Sequence, residues 1–254
     1  MGWRRVFGPF KEFGLAAGAL YVVDRVLRSV SPRCGLYVYE LVVQPLDGKP
    51  LLPARMTKNL RFGEIKRGDA ELALMLAHDH IKAQRYDNGA RCLGVWRRDK
   101  LLGYIWLSSG RYAEDEVRCD YELAAPGESV LDFDLYVLPE HRMGIGFMAV
   151  WHGASQYLNE LGVRYTFSRM TRFNTASRRA HQRMGCRCAA RALFLQLGQL
   201  ELMAATTAPF VAATWSGRVN LLLRPDVLLR LPEAPSDGAA RLPSHHQVGD
   251  SSRP

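Results

Sequence analysis

Apolar and polar positions alternate along several stretches of the chain in the way that predicts β-strands. One strand is predicted over residues 35–46, a hairpin over residues 91–108, and a third strand over residues 117–123. A mainly apolar run over residues 131–138 predicts a buried strand. Pro139 ends this run, because proline cannot donate a hydrogen bond to a neighbouring strand.

Helical spacing follows Pro139 after a short polar turn. The apolar positions three or four residues apart are Phe147, Val150, Trp151, Ala154, Tyr157, Leu158 and Leu161. This helix leads to a strand at residues 164–170, and a helical crossover makes that strand parallel to the strand at 131–138. Asn174 and Gly185 delimit the next helix, and a strand follows over residues 188–197.

Three other segments carry weaker patterns. Asp69 is the predicted N-cap of a helix that presents Leu72, Leu76 and Ile81 on one side. Residues 1–31 predict an amphipathic helix that packs on the domain through Phe13, Ala16, Leu20, Val23, Leu27 and Val30. Flanking aromatic and basic residues leave a membrane-interface helix as the alternative. The predicted organisation is a docked helix at 1–34, one domain at 35–230, and a disordered tail at 231–254.

Composition changes this picture little. The 254 residues are 48% hydrophobic and carry a net charge of +9, and no Lys/Arg run is long enough to predict a nucleic-acid partner. The five cysteines form no pattern of pairs, which predicts reduced, buried thiols and a cytoplasmic protein. No metal site is expected, because neither Cys186–Cys188 nor His78–His80 has a ligand spacing.

The turn after Pro139 is the first candidate binding site. It consists of His141, Arg142, Met143, Gly144, Ile145 and Gly146. A strand, a glycine turn and a helix together expose backbone N–H groups that bind phosphate or pyrophosphate at a helix N-terminus. An isolated Gly-x-Gly is equally typical of an ordinary β–α turn, so this motif needs a second one.

The second motif comprises Asn174, Ser177, His181 and Gly185. With the Gly144–Gly146 turn it resembles the GNAT superfamily of acyl-CoA N-acyltransferases, over roughly residues 60–197. In that family Gln or Arg usually stands where this chain has His141, and here the arginine comes one residue later. The resemblance implies an α+β, GNAT-like fold: a mixed, mostly antiparallel sheet of six or seven strands with helices on both faces. It also implies acetyl-CoA or another acyl-CoA as co-substrate.

The resemblance assigns roles to further residues. Backbone groups of Leu135, Tyr136 and Val137 would pair with the pantetheine of CoA, where the two parallel strands splay apart. Asn174 and Ser177 would contact CoA on the other side. His181 stands where the family often has a tyrosine that protonates the leaving thiolate, and the alternatives are CoA contact or packing alone.

The general base is sought among the acidic residues of the strand at 131–138. Asp132 and Asp134 alternate and so are expected on one face with Tyr136. Burial in so apolar a strand would raise their pKa values towards a useful range. The alternative is that one or both form ion pairs with the many arginines.

The expected function is CoA-dependent transfer of an acyl group, with acetyl the expected one, to an amine of a small molecule or a protein. The competing hypothesis is a non-catalytic protein of GNAT fold that binds acyl-CoA or a carrier-linked acyl group. In that case residues 1–31 would associate with a membrane surface.

Overall fold

A nine-stranded mixed sheet forms the frame of the protein in the computed structural model, which describes Phe10 and residues 13–229. The strands are β1 (Cys34–Pro45), β2 (Leu60–Ile65), β3 (Arg91–Arg97), β4 (Lys100–Ser108), β5 (Tyr112–Ala113), β6 (Cys119–Leu123), β7 (Ser129–Val137), β8 (Tyr165–Thr171), β9 (Arg187–Leu197), β10 (Leu200–Ala205), β11 (Val211–Trp215) and β12 (Val219–Leu223). The helices are α1 (Leu15–Val30), α2 (Ala54–Thr57), α3 (Asp79–Asp87), α4 (Gly146–Glu160), α5 (Thr175–Arg183) and α6 (Asp226–Leu229), with short 3₁₀ turns at Ala70–Leu74 and Pro139–His141. The predicted tail at 231–254 lies outside the described residues.

The main sheet has the order β11-β10-β9-β1-β8-β7-β4-β3-β2, and a second sheet has the order β12-β6-β5. Within the main sheet, only β7 and β8 pair in parallel. The predicted α+β fold with a mostly antiparallel mixed sheet is therefore confirmed. The strand count is higher than the expected six or seven, because the unpredicted β2 extends the sheet at one edge and the unpredicted hairpin β10–β11 extends it at the other. The predicted strand at 117–123, β6, belongs to the second sheet instead.

Helices cover both faces of the sheet, as predicted. Ile105 and Trp106 are neighbours in β4 and therefore point to opposite faces. Ile105 packs in a core cluster with Trp151 of α4. Trp106 packs in another cluster, where its ring lies 4.9 Å from that of Tyr86 of α3.

The parallel strands β7 and β8 separate after a short paired stretch, and this separation was also predicted. The rungs run from Ser129–Tyr165 to Asp132–Ser168. Beyond them β7 continues to Val137 and β8 to Thr171 without pairing to each other. This separation leaves a V-shaped opening between β7 and β8.

The described part of the predicted N-terminal helix packs through only part of the predicted apolar stripe, of which Phe13, Leu20 and Leu27 are half-buried. Its buried residues are Ala17 and Gly18, which have little or no side chain and allow close approach. Val23 and Val30 of the predicted stripe lie exposed, together with Leu15 and Val26. Aromatic and polar contacts both hold α1, since Tyr21 meets the Phe173 ring edge to face at 5.3 Å and Asp24 accepts the Leu36 N–H at 2.9 Å. Among the described residues, no helix combines the length and apolarity needed to cross a bilayer.

The helix predicted from Asp69 onwards is wrong in extent. The side chain of Asp69 accepts the Lys66 N–H at 2.7 Å, which closes a turn and leaves only a 3₁₀ segment after it. Helix α3 begins separately at Asp79, after His78, whose ring stacks on that of His80. Among the described residues, no group of three or more His, Cys, Asp or Glu is arranged to hold a metal ion. All five cysteines are free thiols, although Cys188 is exposed rather than buried as expected.

Candidate active site

Asp132 lies at the apex of the V-shaped opening, on the last rung that β7 and β8 share. It is 3% exposed, and its Oδ2 accepts a hydrogen bond from Ser168 Oγ at 2.8 Å. Burial raises the pKa of Asp132 to about 7, although the bond from Ser168 acts in the opposite direction. This carboxyl group can therefore both accept and release a proton near neutral pH.

Asp134 does not share a face with Asp132, contrary to the expectation. A bulge interrupts the pairing of β7 with β4, and Asp134 has a φ of 48° there, in the left-handed region. Its carboxylate pairs with Arg85, whose guanidinium lies 5.2 Å from the centre of the Phe133 ring. Because Phe133 follows Asp132 directly, Arg85 lies on the opposite side of the sheet from Asp132.

The Arg85 side of the sheet also contains a small cleft. Its polar lining includes Gln84, Ser108, Tyr112 and Asp115. Arg85 bridges Asp134 and Asp115, with 3.3 Å between its Nη2 and the Asp115 carboxylate. The cleft presents charges of both signs close to the place where β7 leaves β8.

The loop after β7 ends at an uncapped helix N-terminus. None of the described side chains caps the first N–H groups of α4, so they are available to an anion. Gly144 is exposed, and a Cβ added there would meet only the His141 carbonyl oxygen, at 4.0 Å. Gly146 differs, because its Cβ would come within 2.6 Å of Val137 Cγ1 and 2.7 Å of the same oxygen. Glycine at 146 therefore serves local packing, whereas Gly144 borders open space.

Arg142 turns back onto the end of β7. Its Nε donates to the Val137 carbonyl at 3.0 Å, and its guanidinium lies 5.0 Å from the Tyr136 ring centre. The Val137 carbonyl that the resemblance assigned to pantetheine thus already has a donor. Leu135 and Tyr136 lie in the stretch of β7 beyond its last rung with β8.

A basic groove beside the loop was not predicted. An open cavity of about 850 Å³ is lined by Arg55, Asn59, Arg97, Arg98, Lys100, His141, Gly144 and Ile145, among others. Pairing of Gly103 with Val137 brings the β3–β4 turn to the loop. The basic character of that turn is the sequence signal that could have indicated the groove.

The second motif forms the start of α5. Asn174 Oδ1 accepts the Ser177 N–H at 3.0 Å, which confirms the predicted N-cap. The Ser177 hydroxyl lies 3.4 Å from His181 Nδ1 and contacts Met170. Both residues of this motif that were assigned to CoA thus lie at the end of β8, next to the opening.

His181 is buried against α4. The rings of Phe147 and Trp151 meet it edge to face, at 5.8 and 5.6 Å between centroids. Its Nδ1 lies 2.8 Å from the Ser177 carbonyl, an acceptor only, so Nδ1 carries the proton and Nε2 of the neutral ring does not. Burial lowers the pKa of His181, and its bond to the Ser177 carbonyl opposes this. A neutral ring with this tautomer has no proton at Nε2, so the acid role of His181 stays a prediction that this tautomer does not favour.

Comparison with known proteins agrees with this arrangement. Residues 61–186 match the model of the "Acetyltransferase (GNAT) family". Residues 61–186 therefore form a GNAT acetyltransferase domain. No protein of curated function matches the sequence.

Solved structures with similar folds share little sequence with the chain. A functionally unknown conserved protein from Staphylococcus epidermidis is 12% identical over 70% of this chain and 67% of its own, with a TM-score of 0.47. A tandem GNAT protein from the clavulanic acid biosynthesis pathway is 13% identical over 64% and 53%, with a TM-score of 0.45. A GCN5-related N-acetyltransferase from Kribbella flavida is 12% identical over 65% and 61%, with a TM-score of 0.38. The chain thus spans between about half and two thirds of these proteins.

Proposed function

We propose that the protein transfers an acetyl group from acetyl-CoA to the amine of a polar small molecule or a protein. One observation carries the proposal: β7 and β8 part at Asp132, and the far end of β7 leads into an uncapped helix N-terminus. A thioester in the opening and a pyrophosphate at the helix would then belong to one extended substrate. The basic groove beside Gly144 adds positive charge where the phosphates of CoA would lie.

The proposed reaction needs one proton carrier. The amine nitrogen attacks the carbonyl carbon of the thioester, the C–N bond forms, and the C–S bond breaks. The Asp132 carboxylate accepts the proton that the amine loses and then passes it to the sulfur of CoA. The carboxylate is thereby regenerated. Its pKa of about 7 suits both transfers.

The acceptor is proposed to approach through the Arg85 cleft. This cleft opens on the face of β7 opposite to Asp132, so we propose that the amine reaches Asp132 through the opening between β7 and β8. The cleft also offers Asp115 to a cationic amine. Its mixed charges favour an acceptor that carries polar groups besides the amine. Asp134 is occupied by Arg85 and is not proposed as the base.

The proposal is tested by thiol release from acetyl-CoA in the presence of pooled amines, amino acids and polyamines. We expect Asp132→Asn to reduce turnover by about a hundredfold or more while acetyl-CoA affinity changes less than threefold. Glu64→Gln is the control, because it removes an exposed carboxylate from the edge strand β2, outside the proposed site. If acetyl-CoA binds but neither wild type nor control releases thiol with any amine pool, the protein is not a transferase for these acceptors.

A second function is favoured by the exposed side of α1. Leu15 is 81% exposed and Val30 77%, and Val23 and Val26 lie between them on the helix surface. Such a stripe suits a protein that binds acyl-CoA or carrier-linked acyl groups at a membrane surface. Sedimentation with phosphatidylglycerol vesicles tests this, with Val26→Glu/Val30→Glu as the variant and the exposed Leu74→Glu as the control. Failure of the wild type to sediment would remove the membrane function.

A further inference from the structure

The strand β11 forms an open edge of the main sheet. It pairs with β10 on one side, and no other described strand pairs with it on the other. Its five residues, from Val211 to Trp215, include neither a charge nor a proline. The strand at the opposite edge, β2, carries Arg61 and Glu64, which are the kind of residues that protect an edge from pairing.

The backbone of β11 offers hydrogen-bonding groups to that open side at alternate residues. The Ala205 N–H donates to the Phe210 carbonyl at 2.8 Å, so these two residues form a hydrogen-bonded pair. Such pairs alternate with non-bonded pairs along an antiparallel ladder. In the register of the β10–β11 pairing, this alternation makes the N–H and C=O groups of Val211, Ala213 and Trp215 point away from β10.

The same three residues share a broad apolar surface with β9 and β10. Val211 is 77% exposed and Trp215 is 66% exposed. Their neighbours on this face, given by the register, are all apolar: Leu193, Leu195, Leu197, Leu200, Leu202, Ala204 and Ala213. The other face of these strands packs into the core through Phe194 and Met203. An uncharged sheet face that continues to an unpaired edge is typical of an interface.

We propose that two copies of this chain associate by antiparallel pairing of β11 with β11 about a twofold axis at Ala213. This register places Val211 of each copy opposite Trp215 of the other, and an aromatic residue opposite a β-branched one is a favourable cross-strand pair. It also lets each outward N–H of the three residues donate to an outward C=O of the second copy. A second copy is favoured over any other partner because β11 itself supplies both the valine and the tryptophan that this register pairs.

The pairing leaves the opening between β7 and β8 accessible. Four strands, β10, β9, β1 and β8, lie between β11 and β7 in the sheet. The proposed dimer therefore does not depend on the proposed function, and either can fail without the other.

Sedimentation velocity of the full-length protein over a wide concentration range tests the dimer. We expect the wild type to approach twice its mass of 28.6 kDa. Val211→Lys/Trp215→Lys places like charges opposite each other and should weaken association by at least about tenfold. Val211→Glu/Trp215→Lys places opposite charges together in the same register and should restore much of the association. Val26→Lys, at an exposed valine of α1, is the control and should associate like wild type.

Circular dichroism establishes that each variant is folded before its mass is interpreted. A wild type that stays monomeric at every concentration overturns the proposal. So does a Val211→Lys/Trp215→Lys variant that associates as strongly as wild type. Equal loss of association in both double variants overturns the twofold register at Ala213.

Discussion

Ser168 Oγ donates a hydrogen bond to Asp132 Oδ2 at 2.8 Å, on the last rung before β7 and β8 diverge. The bond joins two strands at the point where their backbone pairing stops. It also fixes a carboxyl group of raised pKa at the apex of the opening. The backbone pairing of the two strands thus ends at the residue that we propose as the proton carrier.

The raised pKa of Asp132 predicts a specific dependence of stability on pH. Its folded value is about 7, above its unfolded value of about 3.9, so the folded state holds the extra proton between these values. The contribution of Asp132 to stability is therefore largest at low pH and is lost as pH rises through 7, by on the order of 4 kcal/mol at most.

Urea unfolding of wild type and Asp132→Asn at pH values from 5 to 8 measures this dependence. We expect the free-energy difference between the two proteins to shift in favour of Asp132→Asn as pH rises. A constant difference between wild type and Asp132→Asn across the range would mean that Asp132 is ionised throughout.

His181 is predicted to matter more for packing than for acid catalysis. His181→Ala removes a ring that Phe147 and Trp151 contact, and we expect a stability loss of about 2 kcal/mol. Turnover at pH 7 should fall by less than about tenfold, because neutral His181 has no proton on Nε2. The rate of thiol release from acetyl-CoA by the folded His181→Ala variant measures this turnover. A loss of a hundredfold or more, with wild-type activity falling at high pH, would return the acid role to His181.

Arg85 is predicted to support the bulge of β7. Arg85→Ala would leave Asp134 without its partner and expose the faces of Phe133 and Trp106. We expect a stability loss of about 2 kcal/mol and reduced turnover, with Arg85→Lys intermediate because lysine keeps the charge but not the planar stacking.

Arg67→Ala is the matched control for Arg85, since the Arg67–Asp87 pair also involves α3 but is exposed. The stability loss caused by Arg67→Ala should stay within about 0.5 kcal/mol. Equal effects of Arg85→Ala and Arg67→Ala in urea unfolding would show that the bulge does not depend on Arg85.

Local patterns were enough to predict the elements that form the site. Pro139, Gly144 and Asn174 determine the backbone only of the few residues around each of them. The strand end, the loop and the helix cap could therefore be predicted from spacing alone. The separation of β7 and β8 followed from the resemblance and not from any local pattern.

Non-local effects escaped prediction. The strand β1 pairs with β8 and β9, more than a hundred residues away, and nothing in its own pattern specifies those partners. One bulge residue, Asp134, reverses the faces of the strand after it, so strict alternation misplaced Asp134 relative to Asp132. The burial of His181 depends on Phe147 and Trp151 of α4, which its own helix does not specify.

We propose that the loop at Gly144 and the N-terminus of α4 bind the pyrophosphate of an acyl-CoA. Gly144→Glu tests this directly, because position 144 has room for a side chain and the added charge repels phosphate. Gly127→Glu is the matched control, at an equally open glycine that precedes the start of β7. Isothermal titration with acetyl-CoA should show affinity at least about tenfold weaker for Gly144→Glu, with wild-type affinity for Gly127→Glu. Equal affinity in all three folded proteins, or no binding by the wild type, would contradict the account.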